Sequence, residues 1–197
     1  KRDVLIADDF QKFISDTNPE LTEDEAIQIF DNLRLVGAES DFATLHKVYG
    51  WMVDGIQFTL QDGTVKMVSL IDFENPGNNI FHVVNQFTVE YTNNGQKEIR
   101  RPDVLLYVNG MPLCVLELKN PADAHATVYD AWEQITIRYW RDIPHLLHYC
   151  PLACISDGVK TRLGTVRTPY EHFYAWRRVN DGDQVSTLPF AETETMI

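Results

Sequence analysis

The sequence predicts a fold of the α/β class, more closely α+β, in which a mixed central sheet is flanked by helices. Two changes of hydrophobic period support this prediction. Apolar residues recur at helical spacing within residues 1–50, and the period changes to two in residues 51–165. A helical pattern returns at 127–140, inside the sheet region. The 197 residues suit one domain with a sizeable core, so we expect 1–197 to form a single domain.

The first 50 residues are predicted to form a helical lead-in. A first helical segment ends before Pro19, because the residue before a proline avoids the helical region. Thr22-Glu-Asp-Glu25 is a capping box that begins a second helix. Ser40 is placed to begin a third helix, through Tyr49.

The later elements are read from turn residues and alternation. Pro144 ends the helical pattern of 127–140. A helix or strand is expected at 170–178, and the polar tail 181–197 is expected to be irregular. The predicted strands outside the central hairpin are 56–60, 65–71, 81–91, 152–156 and 159–164.

Four carboxylates outside the central hairpin are open to two interpretations. Glu23 and Glu25 are either catalytic groups or, as is usual in a first helical turn, complements to the helix dipole. Asp72 and Glu74 follow a predicted strand and belong either to a metal site or to a solvated, hydrogen-bonded loop. In both cases the second interpretation is the more common one.

The chain is organised around a predicted hairpin at residues 101–121, with its turn at Asn109-Gly110. Both strands are apolar on both faces, which indicates a covered position in the sheet. Asp103, Glu117 and Lys119 interrupt this apolar setting. A buried charge is costly unless it has a partner, so these three need each other, a metal ion or water.

Register decides whether Asp103 joins the other two. A strict two-residue loop pairs residue 103 with 116 and places Asp103 on the face opposite Glu117. A three-residue loop or one bulge pairs 103 with 117, so that Asp103, Glu117 and Lys119 share a face. We expect the second arrangement. Two neighbouring carboxylates repel each other unless a cation lies between them, and their oxygens suit Mg²⁺.

The hairpin resembles a known nuclease motif. Pro102-Asp103 followed by Glu117-Leu-Lys119 resembles the PD-(D/E)XK motif. The surrounding sequence is similar to the N-terminal nuclease region of type I restriction enzyme R subunits, from about Leu21 to Trp176. This wider resemblance is carried by Leu70-Ile-Asp-Phe-Glu-Asn-Pro76, Asn79, Val83-Val-Asn-Gln-Phe87 and Asn109-Gly-Met-Pro-Leu113.

The resemblance implies a restriction-endonuclease-like core and Mg²⁺-dependent cleavage of double-stranded DNA. Asp103 and Glu117 would be metal ligands, together with the backbone carbonyl of Leu118. Lys119 would position the attacking water or stabilise the transition state. The family usually adds an acidic residue from an early helix, but this sequence offers no match.

Related nucleases often carry a Gln-x-x-x-Tyr helix near the site. Here Gln134 and Tyr139 are five residues apart, and Arg138 takes the fourth position. On an α-helix that difference rotates the last residue by about 100°. Gln134, Tyr139 and Arg138 are therefore candidate accessory residues, and an ordinary amphipathic helix with Tyr139 in the core is the equal alternative.

The resemblance also implies a larger assembly in the bacterial or archaeal cytoplasm. Its partners would be the modification and specificity subunits and the motor domains downstream on the same polypeptide, which would bind ATP. The start, Lys1-Arg-Asp-Val4, does not resemble a native N-terminus, so we expect a fragment. No run of about twenty apolar residues predicts a membrane span, and the three cysteines are expected to be reduced.

The net charge of −12 bears on the choice of function. Because DNA binders usually carry a basic patch, this charge predicts weak DNA binding by the chain alone. It also leaves a second hypothesis, a catalytically silent docking module with Asp103, Glu117 and Lys119 as a buried ion cluster. The intact triad favours the nuclease. The basic residues, which either line one cleft or are scattered surface charges, are Arg100, Arg101, Arg138, Arg141, Lys160, Arg162, Arg167, Arg177 and Arg178.

Overall fold

The structure, a computed structural model, describes residues 3–37, 40–120, 122 and 126–175. The predicted tail 181–197 and the end of the predicted element 170–178 lie outside these residues. The helices are α1 (Ala7–Thr17), α2 (Glu23–Arg34), α3 (Asp41–Asp54), α4 (Val128–Glu133), a π-helix (Gln134–Tyr139), α5 (Trp140–Asp142) and α6 (Pro144–Leu147). The strands are β1 (Ile56–Thr59), β2 (Val65–Val68), β3 (Phe81–Asn85), β4 (Val89–Asn93), β5 (Gln96–Arg100), β6 (Val104–Val108), β7 (Met111–Leu118), β8 (Leu152–Ser156), β9 (Thr161–Thr165) and β10 (Tyr174–Ala175).

Six strands form the main sheet in the order β10-β9-β8-β7-β6-β3. The β7–β8 pair is parallel and the other pairs are antiparallel, so the sheet is mixed, as predicted. The hairpins β1–β2 and β4–β5 form two separate small sheets. The parallel pair is possible because the helical segment from α4 to α6 carries the chain back between β7 and β8.

Helices α2 and α3 begin where the sequence predicts, and α1 ends at Thr17, before Pro19 as expected. Thr22 and Glu25 form the predicted capping box of α2, and the Ser40 side chain caps α3. Helix α3 continues to Asp54, beyond the predicted end at Tyr49. The short strand β10 falls within 170–178, where a helix or strand is expected, and it joins the main sheet beyond the predicted sheet region 51–165.

The prediction of one long strand at 81–91 is wrong. The chain divides into β3, which pairs with β6, and β4, which pairs with β5. Between them Gln86 has a φ of 54°, which turns the chain out of the main sheet. Phe87 then packs near the Tyr107 ring, and Val89 enters the core. Period-two patterning alone does not show such a change of sheet, because both halves keep the same alternation.

The turn end of the β6–β7 hairpin is packed against the N-terminal segment. The Ile6 N–H donates to the Gly110 carbonyl over 2.9 Å, and the Tyr107 hydroxyl donates to the Val4 carbonyl over 3.0 Å. A Cβ atom at Gly110 would lie 2.2 Å from the Ile6 carbonyl oxygen, and the φ there is +77°. Only glycine satisfies both the turn and this close approach.

A polar network fixes the same end. The buried side chain of Asn109 accepts from the Ile80 N–H over 2.8 Å and donates to Leu70 O and Asn79 Oδ1 over 2.9 and 2.8 Å. The Asp72 carboxylate accepts from the Asn75 N–H and the Asn78 side chain. These bonds lower the pKa of Asp72. Asp72 therefore stabilises its own hydrogen-bonded loop. This loop lies near the Met111 end of β7, and Glu117 lies near the other end of that strand.

Among the described residues, no helix is long and apolar enough to cross a membrane. Cys114, Cys150 and Cys154 are free and buried.

Candidate active site

A β-bulge aligns the two carboxylates of the central hairpin. Asn109 and Gly110 form a two-residue turn, with φ values of 48° and 77°. Val108 pairs with Met111, but Leu106 pairs with Cys114, so the register shifts by one residue. Val104 consequently faces Leu116, and continuing the ladder by one residue places Asp103 opposite Glu117. The prediction of a three-residue loop or a bulge is confirmed, in its bulged form.

Asp103 is half-buried and held on both oxygens. The Leu118 N–H donates to Oδ2 over 2.8 Å, and the Gln86 side chain donates to Oδ1 over 2.9 Å. The first bond joins Asp103 to β7, and the second joins it to the residue that follows β3. Asp103 therefore links the ends of three adjacent strands.

Glu117 is buried, with 2% of its surface exposed. Its Oε1 lies 3.3 Å from Lys119 Nζ and also accepts from the Gln134 amide, and its Oε2 accepts from the Tyr139 hydroxyl over 2.9 Å. Burial first, and then the charge of Asp103, raise the pKa of Glu117 to about 7. The hydrogen bonds and the Lys119 charge only partly oppose these effects.

Lys119 is fixed between Glu117 and the helical layer. Its Nζ donates to Gln134 Oε1 over 2.8 Å. Its backbone N–H donates to the Ser156 carbonyl over 2.8 Å and extends the β7–β8 ladder by one residue. The ammonium group therefore has a defined position beside the carboxylates.

The π-helix explains how Gln134 and Tyr139 reach the same site. A π-helix closes its hydrogen bonds from residue i to i+5, so a spacing of five brings side chains to one face. Gln134 Nε2 accordingly donates to Tyr139 Oη over 2.8 Å, and both side chains contact Glu117. The rotation expected from α-helical geometry does not occur here. Arg138, the remaining accessory candidate, is exposed on this segment.

Glu25, in the first turn of α2, has a structural role. Glu25 is buried, but its oxygens accept from the Thr22 N–H over 2.8 Å and the Gln61 N–H over 2.9 Å. These bonds lower the pKa of Glu25. Glu25 therefore caps its own helix and ties that helix to the β1–β2 turn.

The donor set at Asp103 and Glu117 fits Mg²⁺. Within the described ranges no group of three or more His, Cys, Asp or Glu side chains could hold a metal ion. Mg²⁺, however, needs only one or two protein carboxylates, and water or phosphate oxygens complete its shell. Burial is the larger cause of the raised pKa of Glu117, and the second is repulsion by the Asp103 carboxylate, which Lys119 offsets only in part. A hard divalent cation is the group that relieves such repulsion.

Several of the predicted basic residues have partners of their own. Arg100 and Arg141 both bind Asp142, at 2.7 Å each. The Arg162 guanidinium lies over the Tyr170 ring, and that of Arg167 over the Trp140 ring. The candidates Arg177 and Arg178 lie outside the described residues.

The sequence does not indicate that Gln86 belongs to this site. Gln86 belongs to the segment 83–87 that carries the wider resemblance, but no spacing connects it with Asp103. Its positive φ is also invisible in the sequence, because glutamine is not typical of the left-handed region. Only the strand order β7-β6-β3 brings it to the site.

A six-stranded mixed sheet flanked by helices, with paired carboxylates at the open end of a central hairpin, is the α+β architecture of restriction-endonuclease-like proteins. The family model described as type I restriction enzyme R protein N terminus matches residues 1–172. The chain belongs to this family, which confirms the resemblance drawn from the sequence.

Curated relatives agree with the family match. The chain is 33% identical over 192 residues to a Methanocaldococcus jannaschii protein named as the putative type I restriction enzyme MjaIXP endonuclease subunit. It is 31% identical over 194 residues to the type I restriction enzyme HindI endonuclease subunit of Haemophilus influenzae. Each alignment covers 95% of the chain and 18% of the relative. The chain thus spans about a fifth of the length of the relatives it matches.

Proposed function

We propose that this chain is the Mg²⁺-dependent DNA endonuclease domain of a type I restriction enzyme R subunit. The observation that carries the proposal is the β-bulge, which brings Asp103 opposite Glu117 with Lys119 beside them. A silent sheet has no need to place two carboxylates together, because their repulsion destabilises the fold.

Asp103, Glu117 and the backbone carbonyl of Leu118 would hold the metal ion. When bound, Mg²⁺ offsets the negative charge of a phosphodiester and makes water easier to deprotonate. Side chains of the protein supply the other functions. Gln134 holds the Lys119 ammonium, which is placed to orient the attacking water or to donate to a phosphate oxygen. Tyr139 fixes the Glu117 carboxylate by donating to Oε2.

The substrate of this proposal is double-stranded, unmodified foreign DNA, delivered by a larger complex in the cytoplasm. The net charge of −12 opposes approach to a polyanion, and Arg100 and Arg141 are neutralised in part by Asp142. Modification and specificity subunits, with ATP-driven motor domains on the same full-length polypeptide, would hold DNA near the site. Such tethering raises the effective DNA concentration to around millimolar, so weak intrinsic affinity suffices.

Calorimetric titration of the chain with Mn²⁺ tests the metal site directly. We expect binding that is lost in Asp103→Ala and retained in Asn94→Ala, an exposed turn variant of the β4–β5 hairpin. Absence of carboxylate-dependent binding would reject the nuclease in favour of the docking module.

The docking module is kept as the second candidate because of an exposed apolar edge. Phe81 and Val83 of edge strand β3 are 63% and 68% exposed. They pair with Val108 and Leu106 of β6, and so point to the same side of the sheet as these residues. Exposed apolar residues on a sheet edge are typical of surfaces that another protein covers.

A further inference from the structure

Gln86 contacts Asp103 through both its side chain and its backbone. Its Nε2–H donates to Asp103 Oδ1 over 2.9 Å, and its backbone N–H donates to the Asp103 carbonyl over 2.8 Å. The Leu118 N–H holds the other carboxylate oxygen from β7. Asp103 is therefore fixed from the strands on both sides of β6, one donor to each oxygen.

The backbone at Gln86 is unusual for this residue type. Its φ of 54° lies in the left-handed region, which favours glycine, asparagine and aspartate. Residues held in such a conformation occur where the surroundings enforce it, often at functional sites. Glycine would meet the backbone requirement of this turn more easily, but it would leave Asp103 Oδ1 without its donor. The turn conformation therefore does not explain why the residue at this position is glutamine.

We propose that Gln86 is a positioning residue that fixes the Asp103 carboxylate for joint binding of a divalent ion with Glu117, an inference that rests on the proposed function. A ligand already held at both oxygens loses little freedom when the ion binds. Partners of this kind, which contact a ligand and not the ion, commonly change metal affinity by about 10–100-fold when they are removed. Gln86 thereby extends the site to the chain that leaves β3.

Two variants separate the contribution of the Gln86 side chain from that of its backbone conformation. Gln86→Gly accepts the positive φ without strain and removes only the amide donor. Gln86→Asn keeps an amide that is shorter by one methylene and tolerates the left-handed region. The matched control is Asn94→Gly, since Asn94 has a φ of 48° in the β4–β5 turn and an exposed side chain.

Two readouts are followed in the 197-residue chain. The first is the amide resonance of Leu118 in ¹H–¹⁵N spectra without metal, because that N–H donates to Asp103 Oδ2. The second is Mn²⁺ affinity by calorimetry. We expect Gln86→Gly to shift or broaden the Leu118 resonance and to weaken Mn²⁺ binding about tenfold or more. Gln86→Asn should restore part of both signals, and Asn94→Gly should change neither.

An unchanged Leu118 resonance and unchanged Mn²⁺ affinity in Gln86→Gly would overturn the proposal and leave Gln86 as a turn residue. If Gln86→Gly does not fold, Gln86→Asn takes its place. A shifted Leu118 resonance with weaker Mn²⁺ binding would then support the proposal, and wild-type values of both would overturn it. If the wild-type chain binds no Mn²⁺, the proposed function fails separately. The Leu118 resonance then decides by itself whether Gln86 holds Asp103.

Discussion

The two ends of the β6–β7 hairpin hold different kinds of polar group. The turn end is at Asn109-Gly110, and the open end is at Asp103 and Glu117. At the turn end, the amide of Asn109 is buried among matched neutral donors and acceptors. At the open end, Asp103 lies opposite Glu117, Lys119 pairs with Glu117, and the pKa of Glu117 is raised to about 7. Polar groups at the turn end stabilise the fold, whereas those at the open end keep a repulsion that a ligand would relieve. The difference indicates where binding takes place.

Removal of a carboxylate at the open end should give the largest effect on activity. We expect Asp103→Ala or Glu117→Ala to lower DNA cleavage by the assembled restriction complex about a thousandfold or more. Metal-ion stabilisation is worth several kcal/mol, and each 1.4 kcal/mol is about tenfold in rate. Stability without metal should fall by less than the lost hydrogen bonds alone would cause, because relief of the carboxylate repulsion offsets part of that loss. Cleavage assays with thermal melts check both; unfolding of both variants would support a structural role.

At the turn end the largest effect should fall on stability. Asn109→Ala removes a buried side chain that makes three hydrogen bonds, and we expect a loss of about 2–4 kcal/mol in urea unfolding. Asn94→Ala is the matched control, with the same φ of 48° but an exposed side chain. It should lose less than about 1 kcal/mol. Equal losses in the two variants would show that backbone strain, not the network, accounts for the cost.

Two buried tyrosines, one at each end of the hairpin, allow the two ends to be compared by the same substitution. Tyr139 donates to Glu117 at the open end, and Tyr107 donates to the Val4 carbonyl at the turn end. Each change to phenylalanine should cost about 1 kcal/mol of stability. Only Tyr139→Phe should also lower cleavage, by about 10–100-fold, because it frees the Glu117 carboxylate. A similar loss of cleavage in Tyr107→Phe would contradict the division between the ends.

DNA binding by the chain alone should be weak. We expect a Kd above about 1 μM for duplex DNA at about 0.15 M salt, with Ca²⁺ in place of Mg²⁺, because the net charge is −12. Fluorescence anisotropy measures this affinity. Sub-micromolar binding would indicate a continuous basic groove at the open end that outweighs the acidic balance.

The smallest effect should come from the loop carboxylate at the turn end. The backbone N–H of Asn75 first, and then the Asn78 side chain, lower the pKa of Asp72. Its stabilising contribution is therefore fully present above the ordinary aspartate pKa of 3.8 and is lost as the pH falls through the lower pKa of the folded state. Asp72→Asn should reduce stability slightly at pH 7. The difference from wild type should close in urea titrations below about pH 3.8, and a difference that persists there would exclude this linkage.

Much of the fold follows from local sequence. The capping box of Thr22 and Glu25, the Asn109-Gly110 turn and the change of period depend on residues within a few positions of each other. The triad could also be predicted, because charges in apolar strands need partners and only a shifted register brings them together. Whether the shift came from a longer loop or from a bulge remained open.

Residue patterns alone predict the mixed sheet, the central hairpin and the three charged residues at its open end. Their meeting depends on three features that appear only in the folded chain: the bulge at Leu106–Cys114, the π-helix that includes Tyr139, and the turn at Gln86 that reaches Asp103. The physical reason is that each of these three departs from regular geometry at a local cost. That cost is offset only by contacts with residues distant in the chain, and these contacts exist only once the sheet has formed.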